Sequence, residues 1–293
     1  MTIAPQTTTA PFGARLESAL ATRGRFCAGI DPHAGLLAAW GLEDTVAGLE
    51  RFALTATEAL APVCSVIKPQ SAFYERFGSR GVAVLERVLA TAREAGALVA
   101  LDVKRGDIGS TSQAYADAYL DPASPLCADA VTVSPYLGFG SLSPFVETAR
   151  AHGGGLFVLA LTSNPEGPEV QHARTADGSA TPGERVADRV LSHLAALNAA
   201  EVEAGSLGSF GAVVGATLAD GVVTHADLDF GGPVLAPGFG AQGGTVADID
   251  RIFGPVAPHV LASSSREVLG KGPDAGMLAA AARDANDALA GLG

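Results

Sequence analysis

Cations, cysteine and long apolar runs are all scarce in this chain. Its 293 residues carry 19 Lys and Arg against 31 Asp and Glu, a formal net charge of −12. Non-specific nucleic-acid binding draws on many cations meeting phosphates, so this balance argues against a nucleic-acid partner. Nor does the average surface field attract a phosphorylated small molecule. Holding one calls for a local site of backbone N–H groups and a few cations. The three cysteines, Cys27, Cys64 and Cys127, are odd in number and far apart. They read as reduced core thiols in a reducing compartment, with a reactive thiol as the alternative. The six histidines, at 33, 152, 172, 193, 225 and 259, show no paired metal spacing, and no Cys-x-x-Cys occurs. That pattern argues against zinc. No stretch reaches the ~20 apolar residues of a membrane span. Residues 1–10 are polar and Thr-rich, without a charged-then-apolar leader, and read as a flexible tail. The expectation is a cytoplasmic protein with no membrane partner.

Hydrophobic residues make up 48% of the chain, enough to bury a large core. The 36 glycines and 17 prolines often follow short apolar runs. These runs fall at 26–30, 63–67, 97–103, 130–133, 155–161, 212–216, 233–236 and 260–262. Each is too short for a helix and lacks clean polar alternation, as expected of a strand covered on both faces. Between them lie amphipathic segments such as 45–61, 82–95, 185–204 and 276–289. Eight strands alternating with helices over about 250 residues predict parallel βαβ units, most simply closed as a (β/α)8 TIM barrel. An open doubly wound sheet is the runner-up. No linker composition or repeat divides the chain, so 11–293 is expected to form one catalytic domain. Two stretches break the rhythm. The segment 164–183 is rich in Pro, Gly and polar residues and is long enough to be a lid or a disordered insertion. Its His172 and Arg174 read as solvated, with lid contacts as the alternative. The unit at 217–232 leaves room for only a brief or degraded helix.

In such barrels chemistry gathers where strands end and the following loops begin. The third strand ends Leu101-Asp102-Val103-Lys104-Arg105-Gly106-Asp107. Alternation puts Asp102 and Lys104 on one face and Val103 on the other, with Asp107 on the loop into the next helix. An isolated pair of this kind is usually a buried ion pair or a helix cap. Here a wholly apolar run precedes it and a second carboxylate follows. Burying that much charge is costly unless it is networked, which favours a site. The first strand ends in Asp31 and the second in Lys68. On a barrel, Asp31, Lys68, Asp102 and Lys104 converge from three neighbouring strands as alternating carboxylates and amines. Such a network holds each charge state and can orient hydroxyls. After the seventh run, Pro237-Gly238-Phe239-Gly240-Ala241-Gln242-Gly243-Gly244 sets four glycines and one Gln between strand and helix. Backbone N–H groups can approach a phosphate closely there. The eighth run leads into Ser263-Ser264-Ser265-Arg266, and barrels often hold phosphate on their seventh and eighth loops. The stretch Thr132-Val133-Ser134-Pro135-Tyr136 carries no charge and is assigned a packing role only.

Asp102-Val103-Lys104-Arg105-Gly106-Asp107 resembles the Asp-x-Lys-x-x-Asp signature of the orotidine 5′-phosphate decarboxylase family. The wording Lys104-Arg105-Gly106-Asp107-Ile108-Gly109-Ser110-Thr111, with Lys68-Pro69-Gln70-Ser71-Ala72-Phe73-Tyr74-Glu75, resembles its longer bacterial subgroup, type 2. The glycine-rich stretch from Pro237 matches the family's phosphate loop, and Arg266 falls where its phosphate-binding arginine does. The resemblance spans roughly Gly29 to Arg266. It implies removal of CO2 from orotidine 5′-phosphate to give UMP, without a cofactor or metal. In that reading Lys104 protonates C6 of the pyrimidine, Asp102 sits against the substrate carboxylate, Lys68 bridges the aspartates and the ribose, and Asp31 binds a ribose hydroxyl. Asp107, with Ile108 and Thr111, reaches into the neighbouring subunit's site, which makes a homodimer the functional unit. Ser163 contacts the pyrimidine amide, Gln242 and Arg266 hold the phosphate, and Pro237 lines the base. Gly243 and Ser265 complete the substrate-binding set.

Two other readings remain open at this level. Related barrels act on sugar phosphates through a magnesium-stabilised enediolate, but carry a carboxylate where this chain has Lys68, and an amine is a poor Mg2+ ligand. A non-catalytic nucleotide-binding barrel would not require an amine between carboxylates.

Overall fold

The computed structural model describes residues 10–292. Of the expected tail, residues 1–9 lie outside the described residues, and Ala10 is exposed. Among the described residues eight strands, β1 (Phe26–Ile30), β2 (Val66–Pro69), β3 (Leu98–Arg105), β4 (Ala130–Val133), β5 (Gly155–Leu161), β6 (Phe210–Val214), β7 (Val234–Pro237) and β8 (Val260–Ser264), form a closed barrel in chain order. Each neighbouring pair is parallel, and β8 returns to β1 through Cys27↔Ser263. The closed circuit sets aside the open sheet.

Both faces of these strands are buried, which is why their sequences do not alternate with polar residues. Cys27, Val66, Ala100, Ala130, Phe157, Val213, Leu235 and Leu261 share one core inside the barrel. Ile30, Ile67, Leu101, Val131, Val158 and Val214 belong to a second core, against the surrounding helices. The helix Val46–Leu60 shows how that layer is made. Leu49, Phe52, Ala53, Ala56 and Leu60 recur at helical spacing and are buried, and Thr45 caps the start by accepting from the Gly48 amide.

A helix before β1, Phe12–Arg23, lies across the N-terminal end of the barrel. Phe12 and Leu16 are fully buried in the inner core, with the Phe12 ring edge-on to Phe157 at 6.0 Å. Space for this plug comes from glycine. A Cβ on Gly155 would stand 2.2 Å from the Phe12 ring, and one on Gly211 2.7 Å from Phe157. Phe12→Ala is expected to cost about 3–5 kcal/mol, the usual cost of an emptied aromatic core site. Chemical denaturation checks it; a loss under about 1 kcal/mol would show that the plug contributes little to stability.

The sixth unit has the brief helix anticipated, His225–Leu228, fixed by a capping box between Thr224 and Asp227. The long 164–183 segment carries a short helix, Pro168–Gln171. Gln171 ties it to the end of β5, accepting from the Thr162 amide at 2.8 Å and donating to the Thr162 hydroxyl at 2.6 Å. His172 and Arg174 are exposed, and Arg174 donates to the Gly183 carbonyl.

Candidate active site

The inward positions at the C-terminal ends of the strands surround a cavity of about 600 Å3. Asp31, Lys68, Asp102 and Lys104 all line it, so two of the chain's three lysines face one space. Barrel register brings them together. Gly29 on β1 stands beside Lys68 on β2, and Gln70 bridges to Asp102 on β3. Asp102 is the hub. Its Oδ1 accepts from Lys104 Nζ at 2.6 Å, and its Oδ2 faces Lys68 Nζ at 3.4 Å. Lys68 and Asp102 are buried, whereas the Lys104 side chain is 45% exposed toward the cavity mouth.

Burial alone would push the Asp102 carboxyl up. Lys68 and Lys104, with hydrogen bonds from Lys104 and Thr132, outweigh it and hold the group at about 2. Burial likewise opposes the Lys68 ammonium, but Asp31 and Asp102 raise its pKa above the ordinary lysine value. Both groups are therefore charged at neutral pH. One oxygen of Asp31, Oδ1, is buried without a hydrogen-bond partner among the described residues. An unpaired carboxylate oxygen facing a cavity is a natural acceptor for a ligand hydroxyl.

Thr132 requires a correction. It was expected only to pack, yet it lines the cavity and its hydroxyl donates to Asp102 Oδ1 at 2.8 Å. The Thr132 hydroxyl oxygen in turn accepts from the amides of Val103 and Lys104, at 3.0 and 2.9 Å. Strand alternation offered a signal, since Thr132 is two residues beyond inward-facing Ala130. Charge, the feature that marks its neighbours, is missing.

At the far wall Ser163, Pro237, Gln242, Ser265 and Arg266 line the same cavity. Gly240 has φ +71°, and a Cβ there would meet the Glu267 carboxylate at 1.4 Å. This loop conformation demands glycine twice over. Gly243 sits exposed on the loop and is not among the lining residues. Asp107, Ile108 and Thr111 also lie outside the cavity wall of their own chain. Ile108 and Thr111 are exposed, and Asp107 accepts from the Ile108 amide at 2.8 Å. His33, Gln70, Phe73, Thr162 and Asn164 line the cavity without having been singled out. Each lies within a few residues of a strand end, which is the signal that could have found them.

The three thiols are free. Burial pushes Cys27 and Cys64 up to about 12, so they remain protonated, which sets aside a reactive role for these two. Among the described residues no three His, Cys, Asp or Glu side chains are grouped to hold a metal ion.

Similarity to known proteins agrees with this geometry. The model of the Orotidine 5′-phosphate decarboxylase / HUMPS family matches residues 24–280. The chain is 71% identical to an orotidine 5′-phosphate decarboxylase of Nocardioides sp. (strain ATCC BAA-499 / JS614), over 88% of this chain and 92% of that protein. It is 60% identical to the one of Streptomyces coelicolor, over 93% and 94%. A Streptomyces avermitilis crystal structure assigned to the same enzyme superposes with a TM-score of 0.92 at 57% identity, covering 99% of this chain and 98% of that one. Leishmania donovani OMP decarboxylase superposes with a TM-score of 0.73 at 29% identity, over 96% and 98%. Signature residues gathered in one barrel cavity, a family match over most of the chain and these close relatives lead to one conclusion: the chain belongs to the Orotidine 5′-phosphate decarboxylase / HUMPS family.

Proposed function

We propose that this protein converts orotidine 5′-phosphate to UMP and CO2, with no cofactor, as the last step in making the pyrimidine nucleotide. The observation that carries this reading is the Lys68–Asp102–Lys104 network at one wall of a cavity whose other wall is the loops bearing Gln242 and Arg266. The first can act on a pyrimidine, and the second can hold its phosphate.

When the C6–carboxylate bond breaks, the electron pair stays on an sp2 carbon with no sink to spread it. An ammonium held at that carbon stabilises the charge and then delivers its proton to C6. Lys104 is that group; solvent returns its proton after CO2 and UMP leave. Asp102 stays ionised beside the substrate carboxylate, an arrangement that disfavours the bound anion more than the transition state. Lys68 holds Asp102 and Asp31 in register with the ribose, and the Asp31 oxygen without a partner takes a ribose hydroxyl. Ser163 meets the pyrimidine amide, Pro237 lines the base, and Gln242, Ser265 and Arg266 enclose the phosphate. The barrier to be removed is of order 20 kcal/mol, more than one lysine supplies. Energy from the remote phosphate must be used as well.

The functional unit is a homodimer of one-domain protomers. Exposed Ile108, Tyr136 and Leu137, at 62%, 76% and 53%, stand on the loops after β3 and β4. A second copy covering them brings its Asp107, Ile108 and Thr111 to the ribose. Free thiols and the absence, among the described residues, of any helix long and apolar enough to cross a membrane suit a cytoplasmic location.

The test is the ultraviolet change of orotidine 5′-phosphate on adding purified protein, with and without EDTA. Rapid, EDTA-insensitive conversion to UMP is expected. No conversion by folded dimer would sink the reading and direct attention to sugar phosphates with magnesium.

A further inference from the structure

Thr132 is 1% exposed on β4, wedged between the inward end of β3 and the cavity. A threonine hydroxyl has one proton to give and two lone pairs to receive. All three are used, and their assignment is forced. The amides of Val103 and Lys104 can only donate, at 3.0 and 2.9 Å, so they occupy both lone pairs. The single proton is left for Asp102 Oδ1, 2.8 Å away.

The two amides belong to a distorted piece of β3. Register with β4 jumps between Leu101 and Arg105. Within this stretch Lys104 has φ +46°, the one non-glycine residue with positive φ among those described. A side-chain-bearing residue stays in the left-handed region only when its surroundings over-determine it. Thr132 supplies that restraint through the backbone. The result is that Lys104 Nζ meets the same Asp102 oxygen that Thr132 bonds.

We propose that Thr132 is a positioning residue for the decarboxylation. Its hydroxyl holds the β3 distortion that aims the Lys104 ammonium and locks the Asp102 carboxylate beside it. This rests on Lys104 being the group that protonates C6. Thr132 does not touch the reacting carbon; it acts through its two neighbours.

Thr132→Val keeps the side chain's shape and removes the hydroxyl, Thr132→Ala removes both, and Thr132→Ser keeps the hydroxyl alone. Steady-state kinetics on orotidine 5′-phosphate are measured for all three and the wild type, normalised to sites titrated with UMP. A misplacement on the scale of an ångström costs ~100-fold in rate, so kcat of the Val and Ala variants is expected to fall about that far. KM and UMP affinity should stay within about threefold, because the phosphate wall is untouched, and Thr132→Ser should restore kcat to within about threefold of wild type. A merely structural threonine would lower the number of folded sites but not kcat per site. Wild-type kcat per site in both hydroxyl-less variants overturns the inference, as does a loss carried by KM, or failure of serine to rescue. Should the Val variant not fold, the Ala variant makes the same comparison. Absence of turnover in the wild type is a different result, and refutes the decarboxylase reading itself.

Discussion

Lys104→Ala is expected to abolish turnover while leaving nucleotide binding measurable. Two contributions vanish together. A positioned general acid typically supplies ~10²–10⁴-fold and a preorganised charge at the reacting atom ~10²–10³-fold, so the loss should reach ~10⁵-fold. Binding survives because the phosphate wall, with Gln242 and Arg266, is built on β7 and β8 and does not involve Lys104. Folding survives too, since the side chain is nearly half exposed and Asp102 keeps Lys68 and Thr132 as partners. The ultraviolet assay gives kcat, and calorimetric titration with UMP gives affinity. Near-normal turnover would remove Lys104 from its role. Lost binding together with lost turnover would point to a structural one.

The second large effect is a recovery. Lys104→Ala and Asp107→Ala are each expected to be inactive alone, yet to regain activity when mixed and allowed to exchange subunits. Asp107 lies outside the cavity wall of its own chain, on a loop whose next residue, Ile108, is largely exposed. In the twofold dimer proposed above that loop would serve the partner's cavity, so one mixed dimer would contain one site with both defects and one with neither. Random exchange makes half of the dimers mixed, and about a quarter of wild-type activity should return. Mass spectrometry establishes exchange independently. No recovery after demonstrated exchange would argue against a shared site.

Much of the barrel was legible because its strands are covered on both faces, so runs such as 130–133 and 155–161 coincide with β4 and β5. At four strands the errors share a direction. The apolar runs stop at 67, 103, 236 and 262, whereas β2, β3, β7 and β8 continue to Pro69, Arg105, Pro237 and Ser264. The strand ends that line the cavity are polar or proline for that reason, and an apolarity criterion cuts them off. Val63 shows the opposite error, as an apolar residue in the turn between the helix Val46–Leu60 and β2. Charged site residues at those ends, Asp31, Lys68, Asp102 and Lys104, were legible because buried charge demands networking. Thr132 was not, because an uncharged hydroxyl in a strand resembles ordinary β-branched packing. The plug by Phe12 was hidden for another reason. Nothing local announces that Gly155 and Gly211, far along the chain, leave the room that two phenyl rings fill.

That plug also determines traffic. With Phe12 and Leu16 stoppering the N-terminal end, the barrel is a cup rather than a tube. Among the described residues the floor is filled by Phe12 and Leu16, so nucleotide and the CO2 released beneath it both use the rim. Gas and nucleotide share one doorway, so UMP seated at the rim stands in the path of the CO2 released beneath it.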